Sequence, residues 1–538
     1  MPGRAGAPTL TYATGDVALD ALQHRFPQVL EANRKSFAGA TGPVEGFGAG
    51  DAYPQIWLRD SATLVPLARF YYPRAVLTRW LEEHLAHQED SGALYDWVAP
   101  GDPARFPYAP RARLVYGDSA AVVTADKNTT EADQESSAVL AAACIHEVLG
   151  DPGWLRRDVR GRPLLTRLDL ALRFVVRERS DPRTGLVINA LTADWGDVSP
   201  LYADQRAIYL DEHTPLVVGL YTNALFVGAA RALADLHEAV ADGQAARAWR
   251  READRVGAAL ETTLWRREWG FFAVHADVAA RGFRHDDDGI FALGGHAVAA
   301  LNGMLSADRL AGVLAVAERR HRQSGIEALA GTLLPPYPPG LFAHPLLKEA
   351  YSYQNGGQWD WFSGRLVLAL FERGQAEAAR RHLSVIARRA EAAGGLFEWY
   401  TVAGEGRGSN RYAGSAGALG RAVVEGLFGV GLDASGLDLQ VRLGSQGGSI
   451  SLEEPATGRF VRYTYAGPTS GPRLRWETRP APRSLAVRLP LGRSVRGVLL
   501  NGKGMAFERR PIGADQYVVI APAPAEGDLE LELVPDGS

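Results

Sequence analysis

Along most of the chain, apolar positions recur at helical spacing. Between Ala245 and Leu264, Trp249, Ala253, Val256, Leu260 and Leu264 follow one another at steps of three and four, which puts them on one helix face. Ser306 stands where it can cap the periodic run Leu310, Val313, Leu314. Leu383, Ile386 and Ala390 form another stripe that Gly394-Gly395 stops. Further helices are predicted near Ser61–Phe70, Ser136–Leu149, Leu164–Glu178, Ala224–Leu236 and Gly364–Phe371. After Ala434 the period shortens to two. Arg459–Tyr465, Arg473–Thr478, Ser484–Leu489, Gln516–Ile520 and Leu529–Val534 are turn-bounded alternating runs. In the last of them Leu529, Leu531 and Leu533 alternate with acids, as in a half-buried strand. Asn501-Gly502 and Asp515 supply turns. The reading is a mainly helical part over residues 1–433 and an antiparallel β-sandwich over 434–538.

The loops of the helical part have a rhythm. Acids and aromatics cluster near Asp60, Asp133 and Asp197, then near Gln358 and Glu398. The first two intervals each hold two helices with their connections, and the long third holds two further pairs. Six helix pairs set in a ring would bring these loops to one end.

Composition narrows the function. Hydrophobic residues are 46% and charged residues 22% of the 538, which excludes disorder as the main state. The net charge of −4 gives no electrostatic footprint for nucleic acid. The single cysteine, Cys144, excludes an intrachain disulfide framework or a cysteine-based zinc site, and its apolar neighbours suggest a buried, inert thiol. The segment from Met1 to about Ala38 lacks a secretion-signal core, and no run approaches a membrane span. A cytoplasmic chain without membrane or nucleic-acid partners is expected. The oligomeric state is left open.

Four loops carry candidate chemistry. In Tyr53–Ser61, Trp57 offers an indole to a sugar face while Arg59 and Asp60 offer hydrogen bonds to hydroxyls; a helix start capped by Asp60 or Ser61 explains the same residues. Thr129–Ser137 packs Glu131, Asp133, Gln134 and Glu135 together, as a hydroxyl-binding loop or an acidic first helical turn. In Thr192–Pro200, Asp194 and Asp197 flank Trp195-Gly196. An acid desolvated by an indole stays protonated near neutrality, which a general acid for glycosidic cleavage requires; an Asp-rich turn is the plain alternative. The fourth feature is a pair of loops. Tyr353-Gln354-Asn355-Gly356-Gly357-Gln358-Trp359 lets backbone approach a ligand closely, and Glu398 sits between Phe397 and Trp399.

Other candidates fall short. His285-Asp286-Asp287-Asp288-Gly289 lacks the spacing and closing Glu of an EF-hand and reads as a solvated turn. Asn501-Gly502-Lys503-Gly504 lacks a P-loop frame. No histidine pair argues for a metal. Gly414-Ser415-Ala416-Gly417 is not a nucleophile elbow. No cofactor is expected.

Taken in order, Trp57-Leu58-Arg59-Asp60-Ser61, Glu131–Ser137, Trp195-Gly196-Asp197, Tyr353–Trp359 and Glu398-Trp399-Tyr400 resemble the six-hairpin glycosidases: the glucoamylases, trehalases, processing α-glucosidase/mannosylglycerate hydrolases and debranching α-1,6-glucosidases. The Trp-x-Arg-Asp-Ser string looks like the glucoamylase substrate loop. Asp197-Val198-Ser199-Pro200 looks like the string holding the general acid of the processing α-glucosidases. Glu398 through Tyr400, with Gly404, Tyr412 and Gly414-Ser415-Ala416, looks like the segment carrying the base. The resemblance implies an (α/α)6 toroid with its site at one end and an exo-acting, inverting hydrolase of a terminal α-linked sugar. It implies Asp197 as acid and Glu398 as base, with Trp57, Arg59, Asp60, Glu131, Asp133, Gln134, Trp195, Tyr353, Asn355, Gln358, Trp359 and Trp399 toward substrate. The string before the acid is one residue shorter than in the family, which keeps Asp194 open as the acid and leaves the sugar unassigned. Three rivals remain. A phosphorylase needs an anion pocket where Glu398 stands, an epimerase needs histidine pairs, and a carbohydrate-binding protein needs no paired carboxylates.

Overall fold

The computed structural model describes residues 9–278, 285–467 and 471–535. The first eight residues of the N-terminal segment weighed above lie outside the described residues. Thirteen α-helices are described: α1 (Val17–Asn33), α2 (Leu58–Ala68), α3 (Arg74–Ala86), α4 (Gln134–Leu149), α5 (Pro152–Arg156), α6 (Leu164–Glu178), α7 (Leu220–Ala239), α8 (Gly243–Leu264), α9 (Leu293–Leu301), α10 (Ala307–Gln323), α11 (Asp360–Glu372), α12 (Ala376–Ala393) and α13 (Ala413–Arg421).

The amphipathic ones form as their spacing predicts. α8 buries Ala246, Trp249, Ala253, Val256, Leu260 and Leu264, and its other faces are open to solvent. Each large apolar side chain buried this way contributes about 1.5–3 kcal/mol. Ser306 Oγ accepts the Arg309 N–H at the start of α10 (3.3 Å). α12 ends at Gly394 with φ +83°, a left-handed cap that suits glycine.

Six helices pack in sequence. α2 lies on α4, α4 on α7, α7 on α9, α9 on α11, α11 on α13, and α13 returns to α2. The last contact is very close: a Cβ added at Gly417 of α13 would stand 2.4 Å from the Thr63 carbonyl oxygen of α2. Four of the six begin directly after a loop singled out by the sequence, at Trp57, Asp133, Trp359 and Tyr412. Other helices lie against this set, among them α8 on α7, α12 on α11, α6 on α4 and α1 on α12 and α13.

Two small sheets brace the loops. Ile56–Trp57, Trp97–Pro100, Val122–Asp126 and Arg113–Gly117 hydrogen-bond in that order, and Ile188–Ala190 pairs with Leu216–Gly219, which pairs with His275–Asp277. Neither appears in the periodicity reading, because strands of two to five residues carry too little alternation to register.

From Val430 onward the chain is β-rich, in two sheets. One has seven strands, and its edge strand is Leu10–Ala13 from the N-terminus, paired with Gly448–Glu453. The five-stranded sheet departs from the expected antiparallel pattern, since Gly436–Val441 runs parallel to Pro482–Arg488. Ion pairs lock the β-rich part to the helices. Arg69 after α2 is buried, with Nε donating to Glu454 Oε1 (2.6 Å) and Nη2 to the Leu432 carbonyl (2.6 Å). Arg488 bridges Asp515 (2.9 Å) and Glu377 of α12 (2.6 Å).

Candidate active site

The helix starts bring the motif loops together. Arg59, in the first turn of α2, points its guanidinium at the second loop: Nη1 stands 2.9 Å from Glu131 Oε1 and donates to Asp133 Oδ2 (3.2 Å). All three side chains are buried. The guanidinium also lies over the rings of Trp195 and Trp361, 5.5 Å from each centroid. Asp133 precedes α4 and accepts a second bond from the Tyr221 hydroxyl (3.1 Å). Gln134 donates to Glu131 Oε2 (2.8 Å). Neither Asp60 nor Ser61 caps α2, whose N-cap is Trp57 without a side-chain bond. Ser61 Oγ instead donates to the Phe47 carbonyl (2.7 Å). Asp60 is buried beside the Tyr412 hydroxyl, and burial raises its carboxyl above the usual range.

The third loop separates its two acids. Asp194 has φ +58° and is buried against the first turn of α9. Its Oδ2 accepts the Gly294 N–H (2.7 Å) and its Oδ1 that of Gly295 (3.1 Å). Burial pushes it up to about 7 despite these bonds. Asp197 is half-buried. Its Oδ1 accepts the Gln354 amide (2.6 Å), and its carbonyl accepts from Asn128 (2.6 Å). Trp195, between the two acids, is a buried floor that packs edge-on against Trp359 (4.7 Å) and Trp361 (5.1 Å).

Glu398 enters from the far side. The hydroxyls of Tyr53 and Tyr353 donate to its two oxygens (3.2 and 3.4 Å), and the Ser409 N–H reaches Oε2 (3.3 Å). Gly408, at φ +68°, makes room for it: a Cβ there would stand 2.3 Å from Oε2. Burial, followed by the charges of Asp197 and Asp60, pushes Glu398 up to about 7. Glu398 therefore feels the charge of Asp197 across the site.

The remaining motif residues divide. Tyr353 packs on Trp359 (5.1 Å) and Trp399 (6.2 Å), and Trp57 stands against Tyr53 (6.4 Å). Asn355 faces away from the acids. Its amide binds the backbone of Tyr337, Leu347 and Glu349 and so fixes the loop after Pro335. Gln358 is held at both ends, by Arg389 (2.7 Å) and the Thr401 carbonyl (2.6 Å). Arg389 also pairs with Asp360.

The motif reading missed Gln354, Tyr53 and Tyr221, and gave Tyr412 only as part of the segment that resembles the one carrying the base. Gln354 and Tyr53 lie inside quoted motifs, but which side chain of a tight turn faces the ligand depends on backbone angles that the residue order does not show. It also missed Asp96, a buried acid just before the strand Trp97–Pro100, whose pKa is pushed well up by burial and by the charges of Asp133 and Asp126, against the pull of Arg59. The Asp286–Asp288 turn is less solvated than expected, because buried Asp287 pairs with His275 (3.0 Å) and accepts from Tyr337 (2.8 Å). Among the described residues no group of three His, Cys, Asp or Glu side chains is placed to hold a metal ion.

Several buried polar atoms here have no hydrogen-bond partner among the described residues: Trp57 Nε1, Arg59 Nε, Asp60 Oδ1, Asp133 Oδ1, Trp195 Nε1 and Gln354 Oε1. Such atoms are costly unless a ligand meets them. Donors and acceptors mixed among indoles match a polyhydroxylated ligand.

The family model described as the mannosylglycerate hydrolase MGH1-like glycoside hydrolase domain matches residues 53–415, the span that holds every one of these loops. The chain belongs to this glycoside hydrolase family. Similar solved structures include the family GH63 mannosylglycerate hydrolase of Thermus thermophilus in complex with glucose (TM-score 0.53, 20% identity, 73% of this chain and 98% of that one). The family GH78 rhamnosidase of Bacillus sp. GL1 has a TM-score of 0.58 at 16% identity, over 88% of this chain and 42% of that one. The Streptomyces avermitilis α-L-rhamnosidase complexed with L-rhamnose has a TM-score of 0.61 at 14% identity, over 98% and 42%. This chain thus spans less than half the length of either rhamnosidase. At these identities the likeness is one of fold. No match is found among curated proteins.

Proposed function

We propose that this MGH1-like hydrolase is an exo-acting, inverting enzyme that removes a terminal α-linked sugar from a small glycoside. Its helices are read as an (α/α)6 toroid followed by a β-sandwich. The closed succession α2, α4, α7, α9, α11, α13 supports the toroid. The observation that carries the functional reading is the pair Asp197 and Glu398. They come from loops about two hundred residues apart in sequence, the charge of Asp197 helps to raise Glu398, and buried polar atoms without partners among the described residues lie in the same loops, which supports the reading. In this reading Asp197 protonates the leaving oxygen and Glu398 draws a proton from the attacking water on the opposite face of the ring. Gln354 orients Asp197, and Tyr53 and Tyr353 orient Glu398. An inverting pair leaves space for that water, with its carboxyls about 6.5–9.5 Å apart. Asp194, held by two backbone N–H groups, positions the Trp195–Asp197 turn.

One observation favours exchanged roles. Burial pushes Glu398 up to about 7, which suits a proton donor. Substrates with activated leaving groups separate the two. The variant lacking the acid keeps most of its rate on an aryl glycoside whose leaving group needs no proton, and the variant lacking the base loses both substrates. Asp197→Ala sparing the activated substrate assigns the acid to Asp197; Glu398→Ala sparing it assigns the exchange. Glycosyl-glycerates come first in the substrate screen, as the namesake class of the family, with rhamnosides next. The product anomer, followed by NMR at early times, reads inversion. Retention, or cleavage that requires phosphate, would overturn the proposal.

A further inference from the structure

A cavity of about 260 Å³ lies among the inner helices, lined by residues of α2, α4, α7, α9, α11 and α13. Position along each helix orders its lining. Arg59 opens α2 and Ser137 lies in the first turn of α4, at the end that carries the motif loops. Arg365 is five residues into α11, roughly 7–8 Å from its start at 1.5 Å per residue. Glu147, Glu372 and Glu425 lie at the opposite end.

Arg365 is the unbalanced charge of this space. Its Nη2 donates to Thr63 Oγ1 (2.8 Å), but Nη1 is buried with no hydrogen-bond partner among the described residues. Its electrostatic neighbours are the hydroxyls of Tyr221 and Tyr412 and a second cation, Arg421. Burial lowers its pKa, as expected of a cation short of countercharge. The other two arginines of the cavity are paired: Arg59 with Glu131 and Asp133, and Arg421 with Glu425 (2.7 Å). Arg365 is half-buried and lines the cavity, no carboxylate is in ion-pair distance of it among the described residues, and arginine cannot lose its charge by giving up a proton. The faces of Trp361 and Phe362, 4.9 and 5.6 Å away, offset part of it but leave the Nη1 donor unmet.

We propose that this cavity binds a small monovalent anion, a halide or the carboxylate of a short organic acid, beside the Arg365 side chain that lines it. The walls around it, including Leu140, Leu225, Val298 and Leu368, are apolar and suit a small, weakly hydrated anion. The three glutamates at the far end disfavour polyanions. Tyr221, which hydrogen-bonds Arg365, also donates to Asp133, so one hydroxyl links Arg365 to the sugar site. Anion binding at Arg365 does not depend on the glycosidase reading.

The test uses the full chain. Crystals are soaked in sodium bromide and, separately, in sodium acetate. Melting midpoints of wild type, R365Q and R365K are followed as either salt is titrated. A bromide anomalous peak in the cavity beside the Arg365 guanidinium, with a saturable rise of the wild-type midpoint that R365Q lacks, is the expected result for a halide. Acetate density there, with the same contrast in acetate, assigns a carboxylate. R365K, which keeps charge but not the fork, shows a reduced response. The crystal arm holds even if R365Q does not fold. Neither bromide nor acetate density at Arg365, or parallel unsaturable salt responses in all three proteins, overturns the proposal.

Discussion

Glu398 holds its carboxyl in a buried place, and that choice has a measurable cost. Folding raises its pKa from 4.5 to about 7, so between those values the folded protein binds more protons than the unfolded one. Stability from this group is fully present below pH 4.5 and is lost as pH rises through about 7. The size is at most on the order of 3 kcal/mol. Glu398→Gln should remove turnover yet resist denaturant better than wild type at pH 8, with the two denaturation curves converging near pH 4. A variant less stable than wild type at pH 8 would show that Tyr53 and Ser409 outweigh the burial. Arg59 has the opposite character. Its removal leaves Glu131 and Asp133 buried without a cation, so Arg59→Ala should cost about 3–5 kcal/mol in chemical denaturation as well as substrate affinity. At this scale the sequence was readable for residue type and unreadable for direction. The Tyr353–Trp359 motif announces a site, yet of its three amides only Gln354 reaches an acid. Asn355 and Gln358 are spent on backbone and on Arg389. The positive φ of Tyr353 and Gly356 decides which way each side chain turns.

At the scale of elements, Asp194 and α9 form one device. A carboxyl from a distant loop takes the first free N–H groups of the helix, which ties the Trp195–Asp197 turn to α9. Asp194→Ala should therefore cost about 1.5–3 kcal/mol, the range for hydrogen bonds to charged groups. It should also lower kcat through a displaced Asp197. Asp194→Asn keeps one acceptor and should retain most activity. An Asn variant as inactive as Asp197→Ala would return Asp194 to the role of acid. The same helix shows why periodicity finds some elements and not others. α6 and α8 bury one face, so their apolar stripe is legible. α9 and α13 are buried nearly all round and rich in glycine and alanine, so they carry no stripe. Their glycines are explained by neighbours that approach too closely for a side chain, as at Gly417 of α13 on Thr63 and Gly295 of α9 on Leu220. A single sequence does not display that need.

At the scale of the whole molecule, the change of pattern near Ala434 marks a change of secondary structure without marking a change of core. One continuous hydrophobic cluster runs from Leu10 and Leu22 through the inner helices to Leu439, Val487 and Leu531. The strand Leu10–Ala13 lies at an edge of the seven-stranded sheet, so a segment that precedes the helices belongs to the β-rich part. The contact between the parts holds a buried network in which Arg69 and Arg459 share Glu454. These arrangements predict a single cooperative unfolding transition, with calorimetric and van't Hoff enthalpies in agreement. They also predict strong coupling across the contact. Arg69→Met leaves Glu454 short of a cation, and Glu454→Met leaves two arginines short of an anion, so each alone should cost about 3–5 kcal/mol. The double variant should cost clearly less than the sum, because it removes the charge that each single change strands. Two resolved transitions, with the lower one alone moved by Arg69→Met, would instead mean that the β-rich part folds on its own core and leans on the helices only through this network.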